Sequence, residues 1–205
     1  MRKLLSICLL LFFAACNSQD KRPLVGETAY QQKLNSQYKD ASSSPLKKKD
    51  LKNFKGLDFY PVDSSFVVTA KLERTPDSPV FKLPRTGGDK ADYRQYGILR
   101  FELKGKQFQL PLYRSMDELR DPRYKDYLFL PFTDDTSGDG SYGGGRYMDV
   151  FESKISPDNT IVLDFNNTYN PYCAYNDRYT CPIVPRKNHL DIAITAGVKD
   201  FKKQN

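Results

Sequence analysis

Hydrophobic and polar residues change their spacing three times along the chain. Residues 4–15 are an almost unbroken apolar run of 12, shorter than the roughly 20 that a membrane-spanning helix needs. Residues 17–27 are polar, contain Pro23 and Gly26, and read as a tether. Behind Thr28-Ala29-Tyr30-Gln31, which has the form of a capping box, Tyr30, Leu34 and Tyr38 recur at helical spacing. This predicts a short amphipathic helix over 29–40. Ser42-Ser43-Ser44-Pro45 ends it, and Ser44 and Pro45 can open a second helix through Asn53.

From Phe59 onward the period is two. Phe66, Val68, Ala70 and Leu72 alternate with Val67, Thr69, Lys71 and Glu73. Two runs, 98–103 and 107–112, flank Lys104-Gly105-Lys106 and predict a hairpin. Its buried face is made by Leu99, Phe101, Leu103, Phe108, Leu110 and Leu112. Further strands are expected at 79–83, 127–132, 146–152, 160–165 and 191–196. Many short strands separated by turn residues predict an all-β fold. The expected form is an antiparallel sandwich or partly closed barrel with a short helical N-terminal segment.

The apolar run at the start carries an address. Met1-Arg2-Lys3 supplies a positive n-region, and Phe13-Ala14-Ala15-Cys16 ends the run with small residues and a thiol. The ending resembles the lipobox of bacterial lipoproteins. Residues 1–15 are therefore read as a signal peptide and Cys16 as the site of lipid attachment. Residues 16–27 form the lipidated tether, and residues 28–205 one β-rich domain. Acyl chains hold such a protein on a membrane through about 0.8 kcal/mol per buried CH₂, without a spanning helix. Asn17, where an Asp would favour retention at an inner membrane, makes the outer membrane the expected location.

Composition fits an exported globular domain. The 27 Phe and Tyr residues can fill a core. The formal charge of +7 drops to +5 once Arg2 and Lys3 are removed. The lysines concentrate at Lys47, Lys48 and Lys49 and at Lys199, Lys202 and Lys203, where they keep a tethered protein solvated or attract anionic lipid. Export makes nucleic acid an improbable partner. With Cys8 in the signal and Cys16 lipidated, Cys173 and Cys181 remain, and an oxidising compartment favours a disulfide between them. The C-x₇-C-x₇-H pattern with His189 invites zinc, but structural zinc needs four ligands in tighter pairs. No metal or cofactor is assigned, and free thiols are the remaining alternative.

Two polar segments could carry chemistry. Residues 130–149 pack four Asp, one Arg, two Tyr and five Gly between predicted strands. Asp135-x-Ser137-x-Asp139-Gly140 opens like a calcium loop, but Arg146 stands where a bidentate Glu is needed. Gly140 and Gly145 have P-loop spacing, but Arg146-Tyr147 replaces the required Lys-Ser/Thr. Neither Ser137 nor Ser141 lies in a G-x-S-x-G elbow. What remains is Asp134, Asp135 and Arg146 as an ion pair fixing the loop, or as a pocket in which Tyr142 and Tyr147 stack on a flat ligand. The second segment, 163–188, is rich in Asn, Tyr and Pro, and its Asn170 and Asn176 suit glycan or peptide contacts. It also suits a self-packed loop. Paired carboxylates, Asp134 or Asp135 with Asp149 or Asp164, are the remaining catalytic option.

These segments also carry a resemblance. Leu128-Phe-Leu-Pro-Phe-Thr-Asp134, Thr136-Ser137-Gly138, Tyr142-Gly-Gly-Gly-Arg146-Tyr147 and Leu163-Asp164-Phe165-Asn166 resemble the bacterial domain-of-unknown-function family 1684. The string continues through Tyr169-Asn170-Pro171-Tyr172-Cys173-Ala174-Tyr175, Cys181-Pro182, Asn188 and Ala196-Gly197, with weaker similarity back to Phe54-Lys55-Gly56-Leu57. The resembled pattern includes both cysteines but has Arg where this chain has His189, which disfavours the histidine as a general base or zinc ligand. The resemblance implies a domain and no mechanism.

The favoured reading is a membrane-anchored envelope lipoprotein that acts as a binding or structural module for a glycan, peptide or envelope protein. The alternative is a hydrolase of envelope substrates working through paired carboxylates. Cys16→Ser is expected to move the protein from the membrane pellet to the soluble fraction after cell lysis. A variant that still sediments entirely with membranes contradicts the lipid anchor.

Overall fold

The computed structural model describes residues 26–202; the signal, Cys16 and most of the tether lie outside the described residues. Helix α1 spans Ala29–Lys39 and α2 spans Lys48–Lys52. The Gln31 N–H donates to Thr28 Oγ1 at 3.2 Å, while Gln31 Oε1 accepts from the Glu27 N–H at 2.8 Å. The capping box thus closes one residue earlier than its usual form. Among the described residues no helix is long and apolar enough to cross a membrane.

Eight strands follow: β1 Val67–Arg74, β2 Val80–Pro84, β3 Lys90–Leu103, β4 Lys106–Ser115, β5 Tyr127–Asp134, β6 Arg146–Phe151, β7 Thr160–Asp164 and β8 His189–Leu190. They form one sheet in the order β6-β5-β4-β3-β1-β7, with β2 beside β3 and β8 beside β5. Every pairing is antiparallel except that of β8 with β5. The predicted β-dominated fold is therefore present, as a half-barrel with a short helix near its N-terminus.

The central hairpin forms where expected and keeps its predicted buried face, with a turn of two residues instead of three because Lys106 already pairs. Leu103 pairs with Lys106, Phe101 with Phe108 and Leu99 with Leu110. Lys104 and Gly105 make the turn with φ of 49° and 76°, the left-handed pair that matches the twist of the flanking strands. Leu99, Phe101, Leu103, Leu110 and Leu112 join Leu128, Leu130, Phe132, Met148 and Val150 in the main core. Farther back along β3 the register slips between Gln95 and Gly97, leaving Tyr96 as an inserted residue. One added residue in a period-two strand reverses the facing of all that precede it. Tyr93 consequently joins Tyr113, Phe129 and Tyr147 in a second, aromatic cluster on the outer face. A Cβ at Gly97 would lie 2.6 Å from the Glu73 carbonyl oxygen, so only glycine lets β1 approach here.

The strand expected at 191–196 is absent. Pairing with β5 stops at Leu190, and the reason is a buried charge. Arg146, at the start of β6, is fully buried and meets Asp134, at the end of β5. Arg146 Nη2 donates to Asp134 Oδ2 and to the Ile194 carbonyl, both at 2.8 Å, and Nη1 donates to the Ala196 carbonyl. Asp134 Oδ1 in turn accepts from the Thr136 N–H and Oγ1 and, at 3.1 Å, from the Ile194 N–H. Backbone groups that would have extended a strand are thus committed to an ion pair. Ile194 and Ala196 still bury their side chains in the main core.

Removing one partner of a buried ion pair strands the other without water. Arg146→Met is therefore expected to lower the unfolding free energy in urea by about 3–5 kcal/mol. A loss below about 1 kcal/mol, the value of an exposed pair, contradicts this role.

Candidate functional site

The outer face of the β5–β6 pair is the floor of a cleft. Pairing sets Tyr127 opposite Phe151, Phe129 opposite Asp149 and Pro131 opposite Tyr147, so four aromatic side chains, Tyr127, Phe129, Tyr147 and Phe151, line the cleft together with one carboxylate, Asp149. Helix α1 makes a second wall with Tyr30, Lys33 and Gln37, and residues 169–182 make a third. The space enclosed is about 550 Å³, the size of a small-molecule site. The floor is rigid: the Phe129 and Tyr147 rings meet edge to face with centroids 4.7 Å apart, and Tyr147 packs likewise on Tyr169 at 6.0 Å.

Asp149 is reachable by solvent through the cleft mouth, yet protein surrounds it on most sides. Its Oδ1 accepts from the Tyr169 hydroxyl at 2.5 Å and from the Tyr127 hydroxyl at 3.1 Å. No Lys, Arg or His among the described residues lies at salt-bridge distance from it. Burial raises the Asp149 pKa, against the lowering effect of the two tyrosine hydroxyls and of Lys33 farther off. Glu118 lines the same cleft, and its pKa is raised first by burial and then by the charge on Asp149. Burial likewise holds Tyr127 and Tyr169 in the protonated form as donors. A carboxylate ringed by aromatic faces at the mouth of a cleft is arranged to accept a hydrogen bond or a positive charge from something placed between the rings.

Of the residues singled out in the sequence, Tyr147 and Asp149 line this cleft. Asp134 and Arg146 are sealed in the core. Asp134 and Asp149 lie on opposite faces of the sheet, so the fold does not bring them together. Asp135 is exposed, with its Oδ1 3.9 Å from His189 Nε2, and His189 Nδ1 is 3.1 Å from Thr133 Oγ1. The Asn170 amide donates to the Lys199 carbonyl, and Asn176 Oδ1 accepts from the Arg178 N–H within its own loop. Asp164 caps the turn that follows β7. Among the described residues no three His, Cys, Asp or Glu side chains converge as metal ligands would. Cys173 and Cys181 are brought together as two thiols, with the Cys173 N–H donating to Cys181 Sγ at 3.2 Å, and Tyr142 lies against Cys173.

Glu118, Tyr127, Tyr169 and the α1 wall were not singled out in the sequence. A signal for the floor was nevertheless present. In 127–132 and 146–151 both alternating sets are largely apolar, and one set is aromatic with a lone Asp149 between Tyr147 and Phe151. A strand that is apolar on both faces has something to cover on each.

Residues 52–199 match the model of a family described as "Protein of unknown function (DUF1684)". Among solved structures, the chain is similar to an uncharacterized protein of Haloarcula marismortui, from gene locus rrnAC0354, determined by solution NMR. The two share 32% identity with a TM-score of 0.65, over 83% of this chain and 90% of the other. A search of curated proteins gave no match.

The raised pKa of Asp149 has a sign that can be measured. The folded state holds the Asp149 proton more tightly than the unfolded chain, so its contribution to stability is full below the unfolded carboxyl pKa. That contribution is lost as pH rises through the folded one. Asp149→Asn, which mimics the protonated form, is expected to melt above wild type at pH 7.5, with the gap closing towards pH 4. A melting difference that does not change with pH contradicts the assignment.

Proposed function

The chain belongs to the DUF1684 family, and we propose that this member binds a small polar ligand, a glycan fragment or short peptide, in the tyrosine-lined cleft. The observation that carries the reading is Asp149, held by the Tyr127 and Tyr169 hydroxyls on the floor of an aromatic cleft of about 550 Å³. A sugar ring or peptide side chain can stack on tyrosine faces while a hydroxyl or amine donates to Asp149. Lys33 and Arg123 at the walls offer donors to a ligand carboxylate or carbonyl. The anchor inferred from Cys16 would keep the cleft close to an envelope surface where such fragments arise.

A second reading has its own observation. Glu118 and Asp149 face one cleft and both are pushed by burial to hold protons at higher pH. A hydrolase acting on a glycosidic bond uses two carboxyls that face one cleft, one of them keeping its proton to act as the acid. This pair differs from those anticipated, Asp134 or Asp135 with Asp149 or Asp164.

Both readings are tested together by isothermal titration against oligosaccharides, cell-wall fragments and short peptides, with product analysis by mass spectrometry. Binding without turnover, weakened at least tenfold in Asp149→Ala, about 1.4 kcal/mol, is the expected result. Product formation abolished by Glu118→Gln would establish the hydrolase instead. A ligand bound equally by wild type and Asp149→Ala would contradict both.

A further inference from the structure

A second site adjoins the cleft and does not depend on its ligand. Cys181 is buried and fixed by backbone bonds: its N–H donates to Thr86 Oγ1 at 3.0 Å, and its carbonyl accepts from the Thr86 N–H at 2.9 Å. The next residue, Pro182, bridges Arg85 beyond the end of β2. Cys173 sits on the single helical turn Tyr172–Ala174 and is only half-buried. Its N–H reaches Cys181 Sγ, and the chain between the two is closed by the Tyr172 and Tyr179 rings, 5.2 Å apart. The accessible sulfur is thus set beside a shielded one on a rigid frame, with the Thr86 and Tyr142 hydroxyls also directed at Cys173. We propose that Cys173 and Cys181 form a thiol–disulfide exchange site for organic disulfides, with Cys173 as nucleophile and Cys181 as resolving thiol.

The chemistry balances within the pair and its substrate. The Cys173 thiolate attacks one sulfur of an organic disulfide, forms a mixed disulfide and expels the other half as a thiolate. That thiolate takes up the Cys181 proton. Cys181 sulfur then attacks Cys173 sulfur, closes the intramolecular disulfide and expels the second half as a thiolate, which is protonated from water. Two electrons pass from the protein dithiol to the substrate. The hydrogen bond from the Cys181 thiol, ahead of those from Thr86 and Tyr142 and against the effect of burial, lowers the Cys173 pKa to about 6. That same hydrogen bond, with burial and the Cys173 charge, raises the Cys181 pKa. Cys181 therefore keeps its proton while Cys173 is a thiolate, and is released to react once Cys173 enters the mixed disulfide.

The test uses the reduced, purified full chain and oxidised glutathione, followed by mass spectrometry. Wild type is expected to lose two hydrogens in a Cys173–Cys181 disulfide that dithiothreitol reverses in the folded protein. Cys181→Ser is expected to stop at one glutathionyl adduct on Cys173. Alkylation of Cys173 in wild type should follow a pH profile with its midpoint near 6, well below the ordinary thiol value of about 8.5, and should shift upward in Cys181→Ser. That profile needs no variant that might fail to fold. A stable mixed disulfide in wild type, a profile with an ordinary midpoint, or a disulfide resistant to dithiothreitol in the folded state would each overturn the proposal.

Discussion

The contact between Asp134 and Arg146 organises more of this molecule than any other. Both side chains are fully shielded from solvent, and two charges leave water at a large cost unless their remaining hydrogen-bonding positions are filled. The fold fills most of them from one segment, through the carbonyls of Ile194 and Ala196 and the Ile194 N–H. This turns the chain after β8 from a strand into a strap across the end of the sheet. Gly197, at φ 78°, turns the strap where a Cβ would strike Thr168 Oγ1. Beyond it Val198 packs into the cluster that holds Leu34 and Tyr38 of α1. The Lys199 carbonyl accepts from Asn170, next to the Tyr169 wall. Two walls of the cleft are therefore held in place from the ion pair outward.

The sheet divides its duties between its faces. The inner face carries aliphatic side chains and Phe rings in a continuous core. The outer face carries Tyr93, Tyr113, Phe129 and Tyr147, and most of what covers it is the 169–184 segment and α1. The inserted Tyr96 makes this possible, because β3 contributes to the outer cluster before the bulge and to the inner core after it. A rigid floor and covering segments of irregular backbone are the combination in which binding sites are commonly found. Asp149 and the Cys173–Cys181 pair both lie on that side.

Much of the fold was legible because period-two alternation is a strong signal wherever one face is buried. β1, β2 and β7 follow it to within a few residues, and so does the central hairpin near its turn, although β3 starts at Lys90, well before the expected 98; β5 and β6 lie where strands were expected but are apolar on both faces. The signal misled at 191–196, where Ile192, Ile194 and Ala196 alternate as a strand would while backbone groups of Ile194 and Ala196 serve a charge over 40 residues earlier in sequence. No local pattern reports such a partner. The candidate site was legible in part for the same reason. Asp134, Asp135 and Arg146 stood out as charges in or beside a glycine-rich loop, and of these Asp134 and Arg146 form the ion pair while Asp135 stays exposed. Tyr147 and Asp149 were found, but Glu118 and Tyr30 join them only through tertiary packing. A disulfide between Cys173 and Cys181 was expected from compartment, whereas the structure has them as two neighbouring free thiols, made unlike by their own hydrogen bond and by the Thr86 and Tyr142 hydroxyls.

The ion pair holds the strap as firmly as the ladders hold the sheet. Native-state amide hydrogen exchange of Ile194, whose N–H donates to Asp134 Oδ1, measures this directly. Ile194 is expected to exchange only through global unfolding, with the same free energy as the amides of the paired strands β3 and β4. Exchange of Ile194 at the rate of an open loop would show that the strap comes free without unfolding, and would contradict the account.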